Sequence, residues 1–108
     1  MSFTGHGILN GINTTDNGKG FITNITGGKV YTAVRGEVVS STGGTVGTAG
    51  HVDQGIGHYD ADGKLRDTGT TFITKATGNL AFIRNMVGIY KDEIDKAGNA
   101  ITKIWFWK

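Results

Sequence analysis

The chain has 108 residues, enough for one domain, which we place at residues 1–108, and too few for a second core. It contains no cysteine, which excludes disulfides and thiolate metal sites, and its 19 glycines make it costly to order. The net charge is only +2, from 11 basic and 9 acidic residues interspersed along the chain, and this pattern predicts no nucleic-acid partner.

Targeting signals are not visible in the sequence. No apolar run approaches the roughly 20 residues that span a bilayer, and the first residues lack a basic stretch followed by an apolar one. We therefore predict a cytoplasmic protein without a membrane partner. No motif indicates a cofactor.

Turn-type clusters divide the chain, and they contain the Asn-Gly, Asp-Gly and Gly-Gly pairs that tight hairpins require. They cover residues 16–19, 26–29, 42–44, 60–64 and 95–99. The remaining segments are rich in Val, Ile, Thr and aromatic residues, which indicates strands. These segments cover residues 3–10, 20–26, 29–40, 45–59, 64–77, 80–94 and 99–107.

Alternation of residue types is clearest in the third segment, 29–40. Val30, Val34 and Val38 point to one face there, and Tyr31 points to the other. This period of two predicts a strand with one buried face, and no window shows the 3.6-residue period of a helix.

The fourth segment, 45–59, favours a curved sheet. A straight strand of that length would measure about 50 Å, too long for so small a domain, and its four glycines allow it to bend. Short loops between sequential strands predict a meander, and a meander that closes leaves no exposed edge. We predict an all-β fold, a closed antiparallel up-and-down β-barrel of seven or eight strands.

The last two segments, 80–94 and 99–107, are apolar on both faces. A barrel wall has one inner face only, and the chain offers no helix to cover the outer one. A second copy of the chain would cover it, so we predict a homo-oligomer.

Residues 77–90, which read Thr-Gly-Asn-Leu-Ala-Phe-Ile-Arg-Asn-Met-Val-Gly-Ile-Tyr, resemble the allene oxide cyclase and dirigent-like β-barrel superfamily. The acidic turn and the aromatic strand that follow are similar to the end of such chains. The resemblance implies an eight-stranded barrel with an apolar cavity, commonly trimeric. The site residues of the cyclases and of the dirigent proteins have no counterparts at matching positions, so activity is not implied.

Three histidines raise the question of a metal. Alternation places His51 and His58 on opposite faces, and His6 lies in another segment. His51 and Asp53 share a face, which we interpret as a surface pair. We predict no metal site.

Polar groups on apolar rows are the better candidates for a ligand site, because a cavity combines an apolar lining with a few convergent polar groups. Gln54 and His58 alternate with Val52 and Ile56 in this way, and Arg84 alternates with aromatic residues. The predicted ligand-binding residues are Val34, Val52, Gln54, Ile56, His58, Phe82, Arg84, Tyr90 and Trp105.

These residues predict a barrel that binds a small apolar or aromatic molecule. The first alternative is an isomerase or cyclase-type enzyme in which His58 or Arg84 acts on a substrate in the lumen. The second is a structural or interaction module with a filled core, whose terminal aromatic strand forms the interface.

Overall fold

The computed structural model describes residues 2–40, 46–97 and 99–107. Seven strands form one antiparallel sheet in chain order, so each strand pairs with its sequence neighbours. The strands are β1 (Ser2–Leu9), β2 (Ile12–Asn24), β3 (Lys29–Ser40), β4 (Thr48–Tyr59), β5 (Leu65–Ala76), β6 (Val87–Ile94) and β7 (Ala100–Trp107). The predicted all-β meander is confirmed.

The sheet is a curled half-barrel, open where the prediction had it closed. Within the described residues, β1 and β7 each pair on one side only. On the concave face, the short 3-10 helix η2 (Gly78–Ile83) packs against β4 and β5 at one end. Leu9 of β1 and Phe106 of β7 pack against the core cluster that η2 completes.

The helix η2 replaces the start of the strand predicted at 80–94. Leu80 and Ile83 are buried, and they form one core cluster with Ala49 of β4 and Ala76 of β5. Full burial of a leucine contributes about 2 kcal/mol. The strand predicted at 80–94 is therefore wrong over its first residues, because this segment packs its apolar residues across the concave face and does not extend along the sheet.

The first hairpin also differs from the prediction. Asn10 and Gly11 have φ of 49° and 80°, the left-handed geometry of a two-residue turn between paired Leu9 and Ile12. The cluster predicted as a turn at 16–19 lies inside β2. Gly18 is needed there for close packing, since a Cβ atom would lie 2.8 Å from the ring of Phe3.

The other turns agree better with the sequence. Backbone hydrogen bonds close the hairpin loops at 60–64 and 95–99, as predicted. The cluster at 26–29 forms a single 3-10 turn, η1 (Thr26–Gly28), followed by β3. The cluster predicted at 42–44 lies outside the described residues.

Alternation sorts the strand residues onto a concave, largely buried face and a convex, exposed face. Val30, Val34 and Val38 lie on the concave face and Tyr31 on the convex one, as predicted.

Within the part of the chain that the structure describes, no helix is long and apolar enough to cross a lipid bilayer.

Candidate functional site

Polar side chains from six strands meet on the concave face. Strand pairing places them there, because residues opposite each other in the register share a face. We call this set the concave polar cluster. It comprises Asp16, Thr32, His51, Asp53, Asp67, Thr71, Tyr90, Asp92 and Thr102.

A buried histidine occupies one end of the cluster. The Nε2 atom of His51 donates to Asp16 Oδ1 at 2.8 Å, and its Nδ1 atom donates to Asp53 Oδ2 at 2.9 Å. Burial alone would lower the pKa of the imidazole, but the hydrogen bonds and charges of the two carboxylates raise it to about 10. His51 is therefore an imidazolium at neutral pH, and the predicted surface pair with Asp53 is a buried one.

A glycine lets this bridge cross a strand. His51 lies on β4 and Asp16 on β2, so the imidazole must pass over β3. Gly36 of β3 faces His51 in the register, and a Cβ atom there would lie 2.6 Å from His51 Nε2. The absent side chain is what makes room for the ring.

A second side-chain bridge over a glycine lies further along the same face of the sheet. Thr32 Oγ1 donates to Asp67 Oδ2 at 2.9 Å, and the Tyr90 hydroxyl donates to the same oxygen at 3.2 Å. These three side chains meet above Gly55 of β4, where a Cβ atom would lie 2.7 Å from Asp67 Oδ1. Burial and the charge of Asp67 raise the pKa of the Tyr90 phenol, so the hydroxyl stays a donor.

Asp92 lies directly opposite Asp67 on one side and Thr102 on the other. Burial raises the pKa of Asp92 to about 6, and the charges of Asp67 and Asp53 act in the same direction. The hydrogen bond from Thr102 Oγ1 opposes this shift. Asp92 is thus a carboxyl group that changes protonation close to neutral pH.

One acceptor in the cluster is unsatisfied. Asp53 Oδ1 is buried and has no hydrogen-bond partner among the described residues, whereas Oδ2 of the same carboxylate accepts from His51. A buried acceptor left without a donor costs about 1–3 kcal/mol. A donor that reached this oxygen would remove that cost.

Most predicted ligand-binding residues lie elsewhere. Tyr90 and Val34 are on the concave face. Five others share a face with each other as expected, but it is the convex one, as the register places Val52, Gln54, Ile56, His58 and Trp105. The concave row of β4 is the opposite one, which contains His51 and Asp53.

Phe82 and Arg84 are not on a strand at all. Phe82 is in η2 and exposed, and Arg84 follows that helix. The Arg84 guanidinium donates to the carbonyl oxygen of Ala76 at 2.9 Å and 3.2 Å, so it caps the end of β5. The enzyme alternative that used His58 or Arg84 in a lumen has no basis in this geometry, because His58 is exposed on the convex face.

The aspartates of the concave face were not among the residues predicted for the site. The signal available in the sequence was the spacing of two residues that puts side chains on one face of a strand. Asp53 shares a face with Gly55 and Gly57, and Asp67 shares a face with Leu65 and Thr71. Aspartate is rarely buried unless it is paired, so a buried row of aspartates was not expected.

No three or more His, Asp or Glu side chains are grouped as metal ligands in the described ranges. No protein-family model, curated protein or solved structure matches this chain.

Proposed function

We propose that the chain binds a small molecule on the concave face, and that this ligand combines an apolar or aromatic body with a cationic or hydrogen-bond-donating group. The observation that carries the proposal is the concave polar cluster, whose aspartates gather on one face of the sheet. Among the described strand residues, no lysine or arginine shares that face.

The apolar part of the ligand has walls to contact. Ile22 and Ile104 are opposite Thr32 and Tyr90 in the register, so they flank that part of the cluster on both sides. They remain 40% and 46% exposed, which leaves apolar surface free for contact. Burying such surface contributes roughly 25 cal/mol per Å².

The polar part of the ligand meets acceptors. Asp53 Oδ1 lacks a donor, and Asp92 is a carboxyl group beside a second carboxylate. An ammonium or amide N–H would satisfy the first and reduce the repulsion at the second. An anionic ligand would meet like charge and be rejected.

Titration of the labelled protein by NMR tests the proposal. The probes are 2-phenylethylamine, the neutral 2-phenylethanol and the anionic 3-phenylpropanoate, which share an aromatic body. We expect the amine to shift the amide resonances of β4 and β6 and to bind at least tenfold more tightly than the anion, as a charged hydrogen bond of about 1.5–3 kcal/mol implies.

Two variants locate the site. Asp53→Asn is expected to weaken amine binding several-fold, whereas Asp62→Asn, an exposed turn residue, is expected to leave it unchanged. Equal binding of amine and anion, or shifts confined to the convex face, would contradict the proposal.

A second candidate function is acid–base catalysis of the isomerase or cyclase type, with Asp92 in place of His58 and Arg84. It is favoured by the pKa of about 6, which suits a group that both donates and accepts protons at neutral pH. Deuterium uptake beside the carbonyl of phenylacetone, followed by NMR, tests it. Uptake that Asp92→Asn leaves unchanged would exclude Asp92 as the base.

A further inference from the structure

The convex face is basic, although the chain as a whole is almost neutral. Every lysine and arginine of the described strands lies on this face. Most of the residues next to them in sequence point to the concave face, because successive residues of a strand alternate between faces. The lysines and arginines are Lys19, Lys29, Arg35, Arg66, Lys75, Lys91 and Lys103. The strand acids on the same face are Glu37 and Glu93.

Those two acids are already paired. Glu37 accepts from Lys75 at 3.2 Å, and Glu93 pairs with Arg66. Within the described residues, no ion pair involves Lys19, Lys29, Arg35, Lys91 or Lys103. The convex face therefore presents uncompensated positive charge.

Exposed aromatic side chains lie on the same face. Trp107 of β7 is opposite Val87, and Val87 is opposite Phe72 of β5. Trp107 is 70% exposed and Phe72 is 45% exposed. Trp105, two residues before Trp107, points in the same direction at a spacing of about 7 Å.

The register continues this line to the cations. Phe72 is opposite Val52, Val52 is opposite Arg35, and Arg35 is opposite Lys19. We call the six residues from Trp107 to Lys19 the convex row. It crosses six strands and spans about 24 Å, with aromatic rings at one end and cations at the other.

A shallow depression of about 550 Å³ lies at the cationic end of the convex row. Lys19 and Arg35 contribute to its lining, together with Lys75 and its ion-pair partner Glu37. Gly50 of β4 adds no side chain at this point of the convex face. A phosphate group fits this chemistry, because guanidinium and ammonium groups bind phosphate oxygens.

We propose that the convex face binds single-stranded nucleic acid, laid across the strands along the convex row. Bases stack on Trp105, Trp107 and Phe72, each stacked base contributing about 1–3 kcal/mol. Phosphates contact Arg35 and Lys19. The expectation of no nucleic-acid partner rested on interspersed charges, and the alternation of the strands separates those charges in space.

Charge favours this partner over a second copy of the chain, because two convex faces would bring the same unpaired cations together. An anionic bilayer also attracts aromatic and cationic groups that share one face, and the vesicle comparison below separates that partner from the oligonucleotide.

Fluorescence anisotropy with a labelled oligothymidylate of about twelve nucleotides, in about 50 mM salt, tests the proposal. We expect saturable binding with quenched tryptophan fluorescence, and affinity that falls as salt rises. Trp107→Ala and Phe72→Ala should each weaken binding about tenfold, whereas Tyr59→Ala, which removes an exposed ring outside the convex row, should not.

A charge pair of variants completes the test. Arg35→Gln should reduce both affinity and the salt dependence, and Lys96→Gln in the exposed loop before β7 should change neither. Far-UV circular dichroism confirms that each variant is folded. Absence of binding, binding insensitive to the convex-row variants, or preference for phosphatidylserine vesicles over the oligonucleotide would overturn the proposal.

Discussion

The positive charge of His51 offsets the negative charges of two carboxylates on the concave face. One imidazolium lies between the carboxylates of Asp16 and Asp53, on strands that are not neighbours. Removing one partner of a buried charged group leaves the others uncompensated, which costs about 3 kcal/mol. The histidine thus ties β2 to β4 through chemistry that backbone pairing does not supply.

The stability of the protein should therefore fall in alkaline solution. The folded-state pKa of His51, about 10, is above the unfolded value of 6.5, so its contribution is complete below pH 6.5 and is lost as the pH rises to 10. Urea unfolding between pH 7 and 9 should show the wild type losing about 1 kcal/mol per pH unit relative to His51→Gln. Parallel curves for the two proteins would show that His51 is not charged in the fold.

Asp92 acts in the opposite sense to a typical paired carboxylate. Its folded-state pKa of about 6 is above the unfolded value of 3.8, so its neutral form supports the fold below pH 3.8 and this support is lost as the pH rises through 6. Asp92→Asn should be more stable than the wild type at pH 7 by on the order of 1–2 kcal/mol.

The comparison at pH 4 is the control for this variant. There the wild-type carboxyl is largely protonated, and the advantage of Asp92→Asn should disappear. Thermal melts at both pH values measure the difference, with Asp62→Asn as the exposed reference. An advantage of equal size at both values would point to packing and exclude ionisation as the cause.

A glycine on β3 and another on β4 leave space for the side chains of the concave polar cluster. Gly36 lies beneath the imidazole of His51, and Gly55 lies beneath the meeting point of Thr32, Asp67 and Tyr90. Both glycines have backbone conformations open to any residue, since neither has a positive φ. Their requirement is for space alone.

Gly36→Ala should therefore break the bridge from His51 to Asp16. The new methyl group would overlap the ring, and we expect a loss of about 2–3 kcal/mol in unfolding free energy together with a lower His51 pKa. Gly5→Ala in β1 is the matched control, because nothing lies within 4 Å of its added Cβ atom. It should be neutral or stabilising by up to about 1 kcal/mol. Similar effects of the two changes would refute this account.

The two Asn-Gly pairs show the limit of local reasoning at this scale. Both Asn10-Gly11 and Asn17-Gly18 have the composition of a hairpin turn. Only the first one forms a turn, because Gly18 is required between Phe3 and Gly36 on the concave face. The contacts that separate the two pairs come from other strands and are not visible in either dipeptide.

Among the described strands, β1 and β7 are the two open edges of the sheet. We retain the homo-oligomer, with the trimer implied by the resemblance, as a proposal. β7 is exposed along its free edge and on both faces, where Ile104 is 46% and Trp105 53% exposed. An unpaired edge of this kind pairs readily with another chain. Of the convex row, only Trp107 lies on β7.

Light scattering after size-exclusion chromatography measures the assembly. At micromolar concentration we expect a mass of two or more times the 11.4 kDa of one chain. Ile104→Lys at the edge should shift this mass toward that of the monomer. Ile56→Lys, at a similarly exposed position in the centre of the sheet, should leave the mass unchanged. A monomeric wild type would contradict the proposal.

The sequence by itself determined the all-β character of the chain and the antiparallel order of its strands, but not the bounds of β2 and β6. Period-two alternation, glycine-rich turns and short connections specify an antiparallel meander, because each of these is a property of a few adjacent residues. The alternation of β3 and the shared face of Val52 and Ile56 were predicted for the same reason.

Only the tertiary structure decided which face is inside, whether the sheet closes and where η2 packs. A strand has two faces, and a register shift of one residue moves every side chain to the opposite face. The choice of the inner face therefore depends on contacts between strands that are distant in sequence. Asp67 of β5 lies inside because Thr32 of β3 and Tyr90 of β6 reach it. Asp53 of β4 pairs with His51, which also reaches Asp16 of β2. Those contacts exist only after the sheet has formed.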